Sequence, residues 1–151
     1  MANKTKYQAE RDLAFLLADA SRKLNDAYDA RMKPLGLTRS QWRVVAFVSR
    51  TPGITQTQLA NKVELSRMAI TGLLDRMQAK DLIERRIAAD DRRIKTVHLT
   101  RKSNALVARM NQTAQAVLDR VFEGITPLEK KKFGQLLNLV KDNAEDRLPL
   151  A

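Results

Sequence analysis

At 151 residues, 44% of them apolar, the chain is long enough to bury a core without a structural staple. It has no cysteine and a single histidine, His98, which excludes disulfides, thiolate metal sites, thiol redox switching and any imidazole cluster. With 28 Lys and Arg against 17 Asp and Glu, its net charge of +11 favours an anionic partner: nucleic acid first, then an acidic membrane surface or a phosphorylated metabolite.

The excess is uneven. Residues 1–54 carry 10 basic and 5 acidic side chains and residues 55–102 carry 11 and 6, whereas residues 103–151 carry 7 and 6. The opening MANKTKYQAERD lacks the apolar core of a signal peptide, and no stretch reaches the roughly eighteen apolar residues of a membrane span. A cytoplasmic protein without a membrane partner is expected.

Leu13, Leu17, Ala20, Leu24 and Tyr28 recur at helical steps, predicting a long first helix that ends before Pro34 and Gly36. Thr38 with Gln41 three residues on is a capping box, opening a second helix through Trp42, Val45 and Phe47 to the breaker TPG at 51–53. Thr55 with Gln58 repeats the device for a short third helix, and Ser66 caps a fourth carrying Ile70, Leu73, Leu74 and Met77. The period then drops to two: Ile83, Arg85 and Ile87 share one face, as do Val97 and Leu99, predicting an antiparallel hairpin with DDRR at its tip. Leu106, Met110, Val117 and Val121 restore the helical period as far as Gly124. TPLE at 126–129 starts a last helix through Phe133, Leu136, Leu137 and Val140, expected to end near Pro149.

This order is that of a winged helix-turn-helix flanked by helices, a mainly α fold with a small β-hairpin wing. Within it, LTRSQWRVV, LSRMAITGLLDRMQAKDLIERR and DDRRIKTVHLT make residues 31–100 resemble the MarR family of bacterial transcriptional regulators, its SlyA-like members in particular. The resemblance implies a homodimer held by residues 1–36 and 101–151, with residues 37–100 as the DNA-binding lobe on a near-palindromic operator in double-stranded DNA. The terminal helices independently suggest a two-fold partner, since their apolar stripes exceed what a three-helix lobe covers.

On the fourth helix the apolar face should turn inward, leaving Ser66, Arg67, Ala69, Thr71, Gly72 and Arg76 toward DNA. Arg67 suits a guanine edge, Ala69 and the Thr71 methyl suit thymine methyls, and Arg76 suits phosphate. Without the motif, Arg67 and Arg76 are as compatible with a solvated face. Gln56 and Thr57 are placed to donate to phosphate. In the wing the resemblance gives Arg93 to the minor groove, Asp91 to orienting the wing, Arg92 to phosphate and Asp75 to steadying Arg93, with Asp90 a solvated turn residue. Gly72 stands where the family often has a larger, basic residue, and Asp81 replaces a usual glycine at a position that favours a left-handed backbone.

Family members commonly release DNA when a small anionic aromatic, or an aromatic acyl-CoA thioester, binds between the dimer helices and the lobe. By that resemblance Arg22 and Trp42 line the effector pocket; a core tryptophan and an ordinary ion-paired arginine are the alternative. Lys33, Arg39 and Arg43 add charge nearby for a larger ligand. No cofactor and no metal are expected. An enzyme would have to use Glu84, Asp90, Asp91 and His98, whose side chains diverge from a strand and turn, so a non-enzyme is expected. A sequence-tolerant architectural or counter-silencing protein is the alternative function.

Overall fold

Helix starts in this chain are set by hydrogen bonds spanning four residues. The Thr38 side chain accepts from the Gln41 amide while the Gln41 side chain accepts from the Thr38 N–H, and Thr55 with Gln58 does the same. Ser66 accepts from the Ala69 N–H at 3.2 Å, satisfying a donor the helix cannot satisfy itself. The computed structural model describes the backbone of residues 2–147 and the side chains of residues 7–145. Its elements are α1 (Ala2–Met32), α2 (Arg39–Arg50), α3 (Gln56–Val63), α4 (Arg67–Ala79), β1 (Ile83–Ile87), β2 (Lys95–Leu99), α5 (Asn104–Val121) and α6 (Pro127–Arg147), with short 3-10 turns at Lys33–Leu35 and Arg101–Ser103. The expected end near Pro149 lies outside the described residues.

The strands pair antiparallel in the register Ile83↔Leu99, Arg85↔Val97, Ile87↔Lys95. That puts Ile83 and Val97 into the core and leaves Ile87, nearer the tip, exposed. The segment after TPG joins this sheet: Val97 N–H donates to the Ile54 carbonyl at 2.9 Å and Thr55 bridges Thr96. This short third edge carries no apolar alternation of its own, which is why periodicity does not reveal it.

Contacts divide the chain into two units, one reaching to Val117 and one from Leu118 onward. The first holds the core: Met32 from α1, Trp42, Val44, Val45 and Val48 from α2, Leu59 and Val63 from α3, Ile70, Leu74 and Met77 from α4, Ile83 and Val97 from the strands, and Met110 from α5. Tyr28 of α1 lies against Trp42 with ring centroids 5.3 Å apart. Farther toward the N-terminus α1 leaves Tyr7, Leu13, Phe15 and Leu16 exposed. In the second unit Thr126 and Glu129 cap α6 reciprocally, and Leu128, Phe133, Leu136, Leu139 and Val140 are exposed.

Two turns use left-handed residues. Asp81 follows α4 at φ 57°, the conformation its short polar side chain tolerates. Glu64 ends α3 at φ 59°; here the Arg43 guanidinium donates to the Val63 and Lys62 carbonyls at 3.2 and 2.9 Å and pairs with Glu64. Arg43 is therefore a cap on the third helix, its donors spent on carbonyls no helical N–H can reach.

Candidate nucleic-acid interface

Burial of Ile70, Leu73, Leu74 and Met77 fixes which way α4 turns. Ser66, Arg67, Ala69 and Arg76 are exposed and Thr71 and Gly72 half-buried, on the outward side as expected. Between α3, the start of α4 and the wing runs a cleft of about 750 Å³, lined among others by Thr57, Asn61, Arg67, Thr71, Arg93 and Lys95. Among the described residues, Arg67, Arg76, Arg92 and Lys95 have no acidic partner, so their charge is unspent on the protein itself.

The wing tip is ordered by its own acid. Asp91 accepts from the Arg93 backbone N–H at 2.9 Å, closing an Asx turn, and its carboxylate grips the Arg93 guanidinium at 3.1 and 3.0 Å. The Arg93 side chain is 91% exposed and Asp91 only 30%. The hydrogen bonds to the Arg93 guanidinium, then to its backbone, hold the Asp91 carboxyl below the usual carboxylate range. The same contact raises Arg93. Asp90, next door, is exposed.

Asp75 requires correction. It meets Arg85 of β1 at 2.5 Å, and Arg85 also donates to Gln78 at 3.0 Å. The reason is position: Arg85 alternates with Ile83 and Ile87 on the strand face turned to α4 and is only 17% exposed, whereas Arg93 at the tip finds Asp91 two residues away. An arginine on the inner face of a strand needs an acid, so the signal for this pair was in the period of two. Gln56 also has a partner inside the protein. Its amide donates to the Thr71 hydroxyl at 2.9 Å, and that hydroxyl donates to the Arg67 carbonyl at 2.8 Å. Gln56 thus ties α3 to α4, and Thr57 is the exposed side chain of the two.

Arg22 and Trp42 are linked through a chain of paired groups. Arg22 meets Asp19 and Asp26 on its own helix at 2.5 and 3.4 Å. Arg39 binds Asp26 and Asp29 at 2.7 and 2.6 Å, and the Trp42 indole N–H donates to Asp29 at 2.7 Å. Those bonds, Asp29 foremost, hold the Arg39 guanidinium firmly charged, and burial raises the Tyr28 phenol. With Arg39 held here and Arg43 of α2 capping α3, Lys33 alone of the three additional cations stays exposed without an acid partner among the described residues. Sequence reasoning assigned no place to Met68 of α4. It sits between Arg67 and Ala69 at 86% exposure.

Among the described residues no helix is long and apolar enough to cross a membrane. A model of the MarR family matches residues 35–94. Among solved structures, the transcriptional regulator PA3341 is 32% identical over 89% of this chain and 99% of its own, with a TM-score of 0.83. A MarR-family regulator from Silicibacter pomeroyi is 27% identical over 92% of each chain, TM-score 0.75. A cysteine-to-serine mutant of MarR from E. coli, solved with operator DNA, is 25% identical over 85% of this chain and 93% of its own, TM-score 0.71.

Proposed function

The chain belongs to the MarR family of transcriptional regulators, and from that premise we propose that it binds double-stranded DNA as a homodimer on a near-palindromic operator, acting as a repressor. The observation that carries this reading is the set of unpaired cations on α4 and the wing, Arg67, Arg76, Arg92 and Lys95, flanking a cleft between two elements shaped to enter grooves. The DNA-bound E. coli relative supports the same partner. Arg67 reads a guanine edge from the first turn of α4, Arg76 and Arg92 hold phosphates, and Arg93, oriented by Asp91, enters the minor groove. Ser66, Ala69, Thr71 and Gly72 form the remaining surface of α4 at the major groove, with Thr57 at the phosphates beside it.

Residues 1–36 and 101–151 form the dimerisation region in this reading. The exposed apolar residues of α1 and, separately, of α6 support it, because each helix leaves a stripe that a second copy would take out of water. Release follows binding of an aromatic carboxylate or aromatic acyl-CoA. Its anionic group displaces Asp26 and Asp29 from Arg22 and Arg39, and its ring stacks beside Tyr28 and Trp42.

Footprinting and gel-shift titration at physiological salt test the first part. A selected palindrome should bind about a thousandfold tighter than random DNA; a small gap would instead favour a sequence-tolerant architectural protein, which the +11 charge alone would also serve. A thermal-shift screen with aromatic acids and thioesters tests the second. An Arg22→Ala variant that responds to an active ligand as the parent does would sink the effector assignment.

A further inference from the structure

The outer face of α4 has no hydrogen-bonding side chain free at its centre. At 3.6 residues per turn, Met68 projects directly away from the buried Ile70, Leu73, Leu74 and Met77, and the next positions on that line are Gly72 and Asp75. Asp75 is occupied by Arg85. Gly72 has no side chain, and the only atom near the place a Cβ would take is the tip of Arg76 at 3.5 Å. Arg67 and Thr71 lie to one side and line the cleft; Ala69 and Arg76 lie to the other. Met68 is thus an isolated apolar side chain, 86% exposed, standing beside an open stretch of helix backbone and between two unpaired guanidinium groups.

Each part of this arrangement narrows the occupant. A protein partner would need a contiguous apolar patch, and Met68 has only a glycine and an alanine for neighbours. The flanking Arg67 and Arg76 instead draw a polyanion, which brings base edges to this face. The major-groove edge of a T·A pair differs from the others in carrying an apolar group, the thymine C5 methyl. An unbranched thioether with three rotatable bonds adapts to such a target, and Gly72 leaves room for the base to approach.

We propose that Met68, with the space left by Gly72, reads a thymine methyl at one symmetric position in each half-site. Specificity there comes from apolar contact, while Arg67 supplies the hydrogen-bonded readout beside it. The proposal rests on the operator reading above, and the experiment separates the two. Operators are selected from a random pool by the parent protein, and each thymine is then replaced by deoxyuridine, which deletes the methyl and keeps every hydrogen-bonding group. One thymine per half-site should prove sensitive, with about a fourfold loss of affinity for one half-site and about fifteenfold for both, the value of burying one methyl group on each side. In Met68→Ala that sensitivity should vanish and in Met68→Leu it should persist, with melting temperatures unchanged because the side chain touches no core. A pattern of uridine sensitivity that is unchanged at every thymine in Met68→Ala, or half-sites with no sensitive thymine, overturns the proposal alone. A pool that returns no enriched sequence overturns the operator reading and the proposal with it.

Discussion

A double-mutant cycle on Asp75 decides how α4 is joined to the wing. Asp75→Asn keeps the shape and removes the charge, and Arg85→Met keeps the aliphatic stem and removes the donors. Exposed ion pairs contribute about 0.2–1 kcal/mol, and hydrogen bonds to charged groups in buried surroundings about 1.5–3 kcal/mol. Arg85 is 17% exposed and Asp75 56%, so the carboxylate stays partly hydrated and the pair falls between these ranges. A coupling of about 1 kcal/mol is expected from denaturant or thermal unfolding. In a chain of this size each single variant then melts about 2–4 °C below the parent, with part of the loss disappearing at high salt. The parallel cycle of Asp75→Asn with Arg93→Ala should give no coupling beyond error. If Asp75 couples to Arg93 and not to Arg85, the assignment of the brace is wrong and the wing is held from its tip.

Arg93→Ala should weaken operator binding by about tenfold or more without unfolding the protein, since the side chain is solvent-exposed and bonds to Asp91 beside it; equal affinity in a gel-shift assay refutes its place at the groove. Gly72→Ala should stabilise the protein by up to about 1 kcal/mol, because the backbone there is helical and the new methyl meets only a flexible guanidinium at ordinary contact distance; a lower melting temperature would show the space to be needed by the fold. The Asp91 carboxyl is depressed in the folded protein, so its contribution is full above the usual carboxylate value of about 3.9 and is lost only as pH falls through the lower folded value. Carboxyl chemical shifts should show Asp91 still ionised at the usual carboxylate value, and half protonation there would count against the brace.

The helix starts were legible because they are local. Thr38, Thr55 and Thr126 each meet a partner three residues on, so four letters of sequence hold both halves of the interaction. Which faces of the strands turn inward was legible for a related reason: only one phase puts Ile83 and Val97 inside together, whereas the register itself came from the structure. Pairings between elements were not. Trp42 and Asp29 are thirteen residues apart, Arg43 and Glu64 twenty-one, and nothing in the intervening letters favours these partners over the many other acids and bases. Met68 was a different kind of miss. It was placed on neither face of its helix, although a wheel drawn through Ile70, Leu73, Leu74 and Met77 already puts it on the far side.

The bond from Val97 to the Ile54 carbonyl gives the wing a second tether. One end of α3 begins where the hairpin is pinned, the other is clamped to α2 by Arg43, Gln56 ties α3 to α4, and Arg85 ties α4 back to the hairpin. Three of these ties close a loop of hairpin, α3 and α4, and the fourth fastens that loop to α2, so no member can turn without dragging the next. Mechanically the lobe is tied into one part, and in the homodimer proposed above a regulatory signal then acts most easily as a change in the distance and angle between two lobes, leaving the shape of either unaltered.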